Sequence, residues 1–168
     1  MLGLAIILAY ALDILVGDPP YRFHPARLIG RMIQFYETRL RQALQDESRA
    51  GMLLAFGLPA DIFLITFFIL WFAGEIDPLV YIGLSSFFIY SAISVKDMAD
   101  HAWVVKESLE RRNLEEARLL LSHIVERDTA GLDEKEIVRA TVETVAESTL
   151  DGIISPLFYA AVGGAPRS

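Results

Sequence analysis

Glu143, Glu147 and Asp151 recur at every fourth position, a spacing that sets three carboxylates on one helix face with a drift of only ~40° per step. Like charges one turn apart repel, so such a stripe costs helix stability unless a cation neutralises it. Magnesium suits that role, since it binds through one or two carboxylates together with nucleotide phosphate oxygens. The alternative is a solvated face, with Arg139, one turn earlier on the same stripe, as partial counter-charge. Against it stand the residues in between, Thr144, Val145, Ala146, Ser148 and Thr149, which are small and weakly polar. The stripe is therefore expected to face something polar within the fold.

Other clusters carry weaker signals. Arg127-Asp128-Thr129 is an ordinary interhelical turn by composition, yet it also offers Arg127 to a phosphate and Asp128 to a metal. Gly17-Asp18-Pro19-Pro20, His24-Pro25, Arg27 and Arg31 form an irregular, basic stretch. Guanidinium forks match phosphate and carboxylate oxygens, although the same arginines would also pin a membrane interface. Asp13 and Asp61 each interrupt an apolar run, and an ionisable residue there must face protein or water rather than lipid. A lone histidine such as His101 is more often a packing residue than a ligand.

These groups need positioning elements, and the charge distribution locates them. Hydrophobic residues make up 54% of 168 positions, mean hydropathy is +0.40 and 22% of residues are charged. Of fifteen Lys and Arg, six lie in 22–49, eight in 96–139 and one at Arg167. Residues 2–16, 52–73 and 79–95 are thereby left as predicted membrane spans, the second long enough for a ~30 Å hydrocarbon core. A cleaved signal peptide would want a basic start, which 2–16 lacks. Glu75-Ile76-Asp77-Pro78 reads as a tight turn between the second and third spans. By the positive-inside rule the Arg-rich 18–50 loop and the segment from Lys96 onward are expected to be cytoplasmic.

Between 96 and 151 the pattern changes to amphipathic helices. Asn113 with Glu116, and Asp133 with Glu136, have capping-box spacing. Leu114, Ala117, Leu121 and Ile124 form one apolar stripe that must pack against something. The stretch 152–168 is too short to span and reads as a re-entrant or entering membrane segment. The expected fold class is all-α, a polytopic helical membrane protein with cytoplasmic amphipathic helices. A net charge of −7 argues against a nucleic-acid partner, and the absence of cysteine excludes disulfides and thiolate chemistry.

In order along the chain stand Asp13, Gly17-Asp18-Pro19-Pro20, His24-Pro25-Ala26-Arg27-Leu28-Ile29-Gly30, Asp100-His101-Ala102, Ile124-Val125-Glu126-Arg127-Asp128-Thr129, Glu143-Thr144-Val145-Ala146-Glu147-Ser148, Asp151-Gly152 and Ser155-Pro156. This series resembles the CobD/CbiB family of cobalamin-biosynthesis membrane proteins, the adenosylcobinamide-phosphate synthases. The resemblance implies an ATP- and Mg2+-dependent ligase of the prokaryotic cytoplasmic membrane, working on its cytoplasmic face. Such an enzyme joins aminopropanol, commonly as its phosphate, to a carboxylate of the corrinoid adenosylcobyric acid. Other cobalamin-biosynthesis membrane proteins are further expected partners.

With the resemblance, Asp128, Glu143 and Glu147 are expected to be catalytic, and Glu143, Glu147 and Asp151 to bind metal. Asp18, His24, Arg27, His101 and Arg127 are expected to hold substrate and phosphate. The chain departs from the family pattern at Glu126, where Gly is expected, and at Ser148, where Asn is expected. Family members run to about twice this length, so the chain is expected to correspond to the N-terminal half. The competing class is a non-catalytic regulatory or assembly protein on the same scaffold. A transporter using Asp13 and Asp61 would want paired broken helices or repeats, which the sequence does not display.

Overall fold

The computed structural model describes residues 1–17, 25–44 and 46–162. Regular structure among them is entirely helical: α1 (Leu2–Val16), α2 (Pro25–Ala43), α3 (Glu47–Ile76), α4 (Pro78–Tyr90), α5 (Val95–Glu110), α6 (Leu114–Ser122), α7 (Glu134–Thr149) and α8 (Ser155–Val162). A π-helical turn, Leu150–Ile154, joins α7 to α8.

The apolar part is built on α1, α3 and α4. Ala5, Ala9 and Asp13 share one face of α1, are 0%, 0% and 1% exposed, and lie on the helix that packs against α4. The α4 residues buried with them are Tyr81, Ser85, Ser86 and Tyr90. Small residues let two backbones approach closely, while Phe56, Phe63, Phe68 and Phe72 of α3 remain exposed. Asp77 serves both helices at the predicted turn: its amide bonds the Ala73 carbonyl, and its side chain accepts from the Leu79 amide at 2.6 Å. Pro78, at the first position of α4, lacks a donor that would be unsatisfied there in any case.

Glu47–Ile76 and Pro78–Glu110 are, by length and composition, long and apolar enough to cross a membrane. The 15 residues of α1 rise only about 22 Å. The predicted third span, 79–95, does not continue as one helix, because α4 ends at Tyr90 and α5 starts at Val95.

Within the segment 18–50, expected as a loop, residues 25–43 and 47–50 are helical. Ile29, Met32, Tyr36 and Leu40 recur at helical spacing, are partly buried and lay α2 along α3, where Tyr36 donates its hydroxyl hydrogen to the Asp61 carboxylate. The carboxylate in the second apolar run is thereby satisfied by a neighbouring helix. Residues 155–162 of the expected re-entrant stretch form α8, which contacts α1 and α4.

The polar unit α5–α7 has a conventional core of Val105, Ala117, Leu121, Ile137 and Ala140. The predicted stripe of α6 accounts for its buried side. Asp133 and Glu136 form the full capping box, each side chain accepting from the other's amide at 2.8 Å. Asn113 caps α6 by accepting from the Glu116 amide at 3.2 Å. Between α5 and α6, Arg112 takes φ 58° and the Asn113 amide reaches the Ser108 carbonyl, closing a Schellman turn without the usual glycine.

Candidate functional site

The segment after α6, helix α7 and the π-helical turn enclose a cleft of about 510 Å³. Arg127, Glu143, Glu147 and Asp151 all line it, with Glu126 and Ser148. The acidic stripe is thus brought to one face, opposite the arginine of the Arg-Asp-Thr turn, but it is not buried within the fold as the small intervening residues suggested: Glu143 is half-buried, and Glu147 and Asp151 are exposed at the open cleft. Thr144 also lines the cleft, and Ile124 and Val125 supply an apolar wall.

Three consecutive residues of the Arg127 turn have three different fates. Thr129 is 6% exposed and donates its hydroxyl to the Arg118 carbonyl at 2.9 Å. Arg118 in turn donates Nε–H to the Leu132 carbonyl at 2.8 Å. Asp128 turns back on its own loop, accepting from the Ala130 amide at 2.9 Å, and does not line the cleft. With the loop tied down on both sides, Arg127 is the member that reaches the cleft.

Glu143 is held between two guanidinium groups, Arg139 Nε at 2.7 Å and Arg127 at 3.4 Å. The Arg139 hydrogen bond holds the Glu143 carboxyl below the usual carboxylate range, outweighing partial desolvation, and the charges of Arg139 and Arg127 add to it. Glu147 and Asp151 have no ion-pair partner among the described residues. Two carboxylates are therefore free beside an arginine anchored by a third. Among the described residues no three His, Asp or Glu side chains converge closely enough to hold a metal by themselves. Glu147 and Asp151 are the cleft carboxylates that could hold a cation, with its remaining ligands coming from a bound phosphate and water.

The remaining predicted residues lie elsewhere. His101, on α5, keeps Nδ1 2.7 Å from the Asp97 carbonyl oxygen and 3.4 Å from its carboxylate, away from the cleft. Arg27 stands exposed on α2, which packs along α3 and does not line the cleft. Asp18 and His24 lie outside the described residues. Glu126 and the two hydroxyl residues, Thr144 and Ser148, were not among the predicted site residues. Their only sequence signal was proximity to the acidic stripe and to Arg127.

An all-helical fold with an acidic cleft against an anchored arginine is the setting for the comparison with known proteins. The family model described as CobD/Cbib protein matches residues 6–168, and the chain belongs to that family. It is similar to the cobalamin biosynthesis protein CobD of Pelobacter propionicus, 38% identical over 159 residues, covering 95% of this chain and 49% of the relative. The protein of the same description from Clostridium perfringens is 40% identical over 162 residues, covering 96% and 51%. That from Halalkalibacterium halodurans is 39% identical over 163 residues, covering 97% and 51%. The chain spans about half the length of these curated relatives, and no solved structure matches it.

Proposed function

We propose that the cleft serves ATP-dependent amide ligation, joining aminopropanol or its phosphate to the free carboxylate of adenosylcobyric acid. The reading rests on one observation above all, the convergence of Arg127, Glu147 and Asp151 on a single cleft. An amide cannot form from a carboxylate at useful rates without activation. In the proposed sequence the corrinoid carboxylate oxygen attacks the γ-phosphorus of ATP and ADP leaves. The amine then attacks the acyl carbon, phosphate leaves, and the amine proton passes to a carboxylate of the protein.

Each part of the cleft has a task in that sequence. Arg127 holds the phosphoryl oxygens, its fork kept in register by Glu143. Glu147 and Asp151 would hold magnesium, which when bound neutralises charge on the phosphates. The carboxylate not so occupied accepts the amine proton. Asp128 acts through the turn that presents Arg127. Substrate handling by Asp18, His24, Arg27 and His101 remains part of the proposal, with Arg27 and His101 acting from outside this cleft.

We place α1, α3 and α4 in the membrane, with the α5–α7 unit on the cytoplasmic side. Support comes from the exposed aromatic face of α3 and from the basic residues of 96–139.

The test is corrinoid-dependent ADP release, read beside Mn2+ binding in the presence of nucleotide. Glu147→Gln and Arg127→Ala should each lower turnover about 10²–10³-fold, and Glu147→Gln should weaken the Mn2+ signal. Parent-level turnover and Mn2+ binding in both folded variants would overturn the site. It would then favour a regulatory or assembly role on this scaffold.

A further inference from the structure

Asp13 lies far from the cleft in sequence and does not line it, yet its contacts lead there. Its Oδ2 accepts from the amides of Val95 and Lys96 at 2.8 and 3.1 Å, across 82 and 83 residues of chain. Those amides open α5, where four N–H groups need acceptors from outside the helix. Ser94, the residue at the cap position, provides no side-chain bond of its own. Asp13 is the substitute cap, delivered by another helix.

The exchange is reciprocal. Lys96 Nζ donates to the Leu15 carbonyl at 3.4 Å, and the Tyr90 hydroxyl donates to the Gly17 carbonyl, so the end of α1 is finished by residues flanking the α4–α5 turn. Gly17 has φ +73°, and a Cβ there would meet Lys96 Cδ at 3.1 Å. The positive φ favours glycine at this crossing, whereas the Lys96 side chain could give way to a Cβ.

The same turn grips the cleft from its other side. The Ser94 amide donates to the Gly152 carbonyl at 3.1 Å, and a Cβ at Gly152 would lie 2.7 Å from Ser94 Oγ. Gly152 belongs to the π-helical turn that carries Asp151 into the cleft. A π-helical turn alters the helical phase of whatever it carries, so its anchorage decides where the Asp151 carboxylate stands relative to Glu147.

We propose that Asp13 is a positioning residue for the cleft: by capping α5 it fixes Ser94, and Ser94 against Gly152 fixes Asp151. The functional half of this inference rests on the ligase reading of the cleft, whereas the mechanical half does not. Asp13→Ala removes the cap. Asp13→Asn keeps an oxygen that accepts from both amides. Gly152→Ala brings a Cβ to 2.7 Å from Ser94 Oγ, so the hydroxyl must rotate out of its place against Gly152 or the turn must shift, and Ser94→Gly removes that contact.

The chain contains no cysteine, so spin labels at His123→Cys, next to the cleft-lining Ile124, and at Ile154→Cys, in the π-helical turn, report the position of that turn relative to the segment after α6. In the full chain, reconstituted in lipid nanodiscs, Asp13→Ala and Gly152→Ala should each shift or broaden the label distance by about 1–2 Å. Asp13→Asn should retain the parent distance, and Ser94→Gly should restore it in the Gly152→Ala background. Turnover should fall about tenfold to a hundredfold in the displaced variants, in kcat rather than KM for nucleotide, and recover with the distance.

Unchanged distances in folded Asp13→Ala and Gly152→Ala would overturn the proposal. So would an Asp13→Asn variant as displaced as Asp13→Ala. If Asp13→Ala does not fold, the Gly152/Ser94 pair decides alone, and an unshifted Gly152→Ala counts against it. Parent-level turnover in Glu147→Gln would sink the ligase reading separately, leaving the distances to judge the clamp.

Discussion

The two halves of this molecule bury opposite kinds of residue. In α5–α7 the interior holds Leu121, Ile137 and Val105, and the charges lie outside. Where α1 meets α4 the buried set is Ala5, Ala9, Asp13, Ser85, Ser86 and two tyrosines, while α3 turns Phe56, Phe63 and Phe72 outward. Water drives large apolar side chains inward. Hydrocarbon offers no such drive, so close packing of small residues and interhelical hydrogen bonds such as those of Asp13 Oδ2 hold helices together there. The inversion between the halves is what two different solvents would impose on one chain, and it supports the proposed membrane placement.

The largest expected effect contrasts the two directly. Ile137→Ala, at a fully buried position, should lower stability by about 2–5 kcal/mol in denaturant unfolding of the detergent-solubilised chain. Phe56→Ala, at 76% exposure, should change it by no more than about 0.5 kcal/mol. Equal losses would break the comparison.

Within the apolar half the polar contacts should matter more than the large side chains. Tyr36→Phe leaves Asp61 without its phenolic donor and should cost about 1–3 kcal/mol. Thermal unfolding would sharpen the comparison if this loss exceeds that of Phe56→Ala. In the polar half a single cap is a smaller matter. Asp133→Ala removes one side of the α7 capping box and should cost about 1 kcal/mol by the same measurement.

The smallest effect is electrostatic. Glu143 titrates below its ordinary value of 4.5 because Arg139 and Arg127 bind its ionised form. A carboxyl lowered on folding stabilises the native state above its unfolded value and loses that contribution as pH falls through the folded one. Acid unfolding of Glu143→Gln should therefore lack a small part of the stability change seen below about pH 4.5. Because both arginines are solvent-exposed, salt should shrink the difference. A parent-like acid limb in the variant would argue that the Arg127 anchor is energetically silent.

Local signals in the chain were strong where the determining physics is local. The capping spacing of Asp133 and Glu136, the Asp77-Pro78 turn and the α6 stripe each depend on residues within one helical turn or two. The four-residue spacing of Glu143, Glu147 and Asp151 likewise predetermined a shared face. The helicity of 25–43 was legible too, in the recurrence of Leu28, Met32, Tyr36 and Leu40, but six arginines in 22–49 pointed instead to an interfacial loop.

What the sequence by itself determined was helix type, cap positions, the acidic face and membership of a family of motifs, all carried by short-range periodicity. Only the tertiary structure decided which charges are spent on architecture. Asp13 and Asp61 both interrupt apolar runs, and nothing in their neighbourhoods tells that one caps α5 and the other meets Tyr36. Nor does the run Arg127-Asp128-Thr129 reveal that its first residue faces the cleft while the next two hold the turn. Most buried polar groups find a partner, and that partner is chosen by how the helices pack, for Asp13 Oδ2 across 82 and 83 residues of chain.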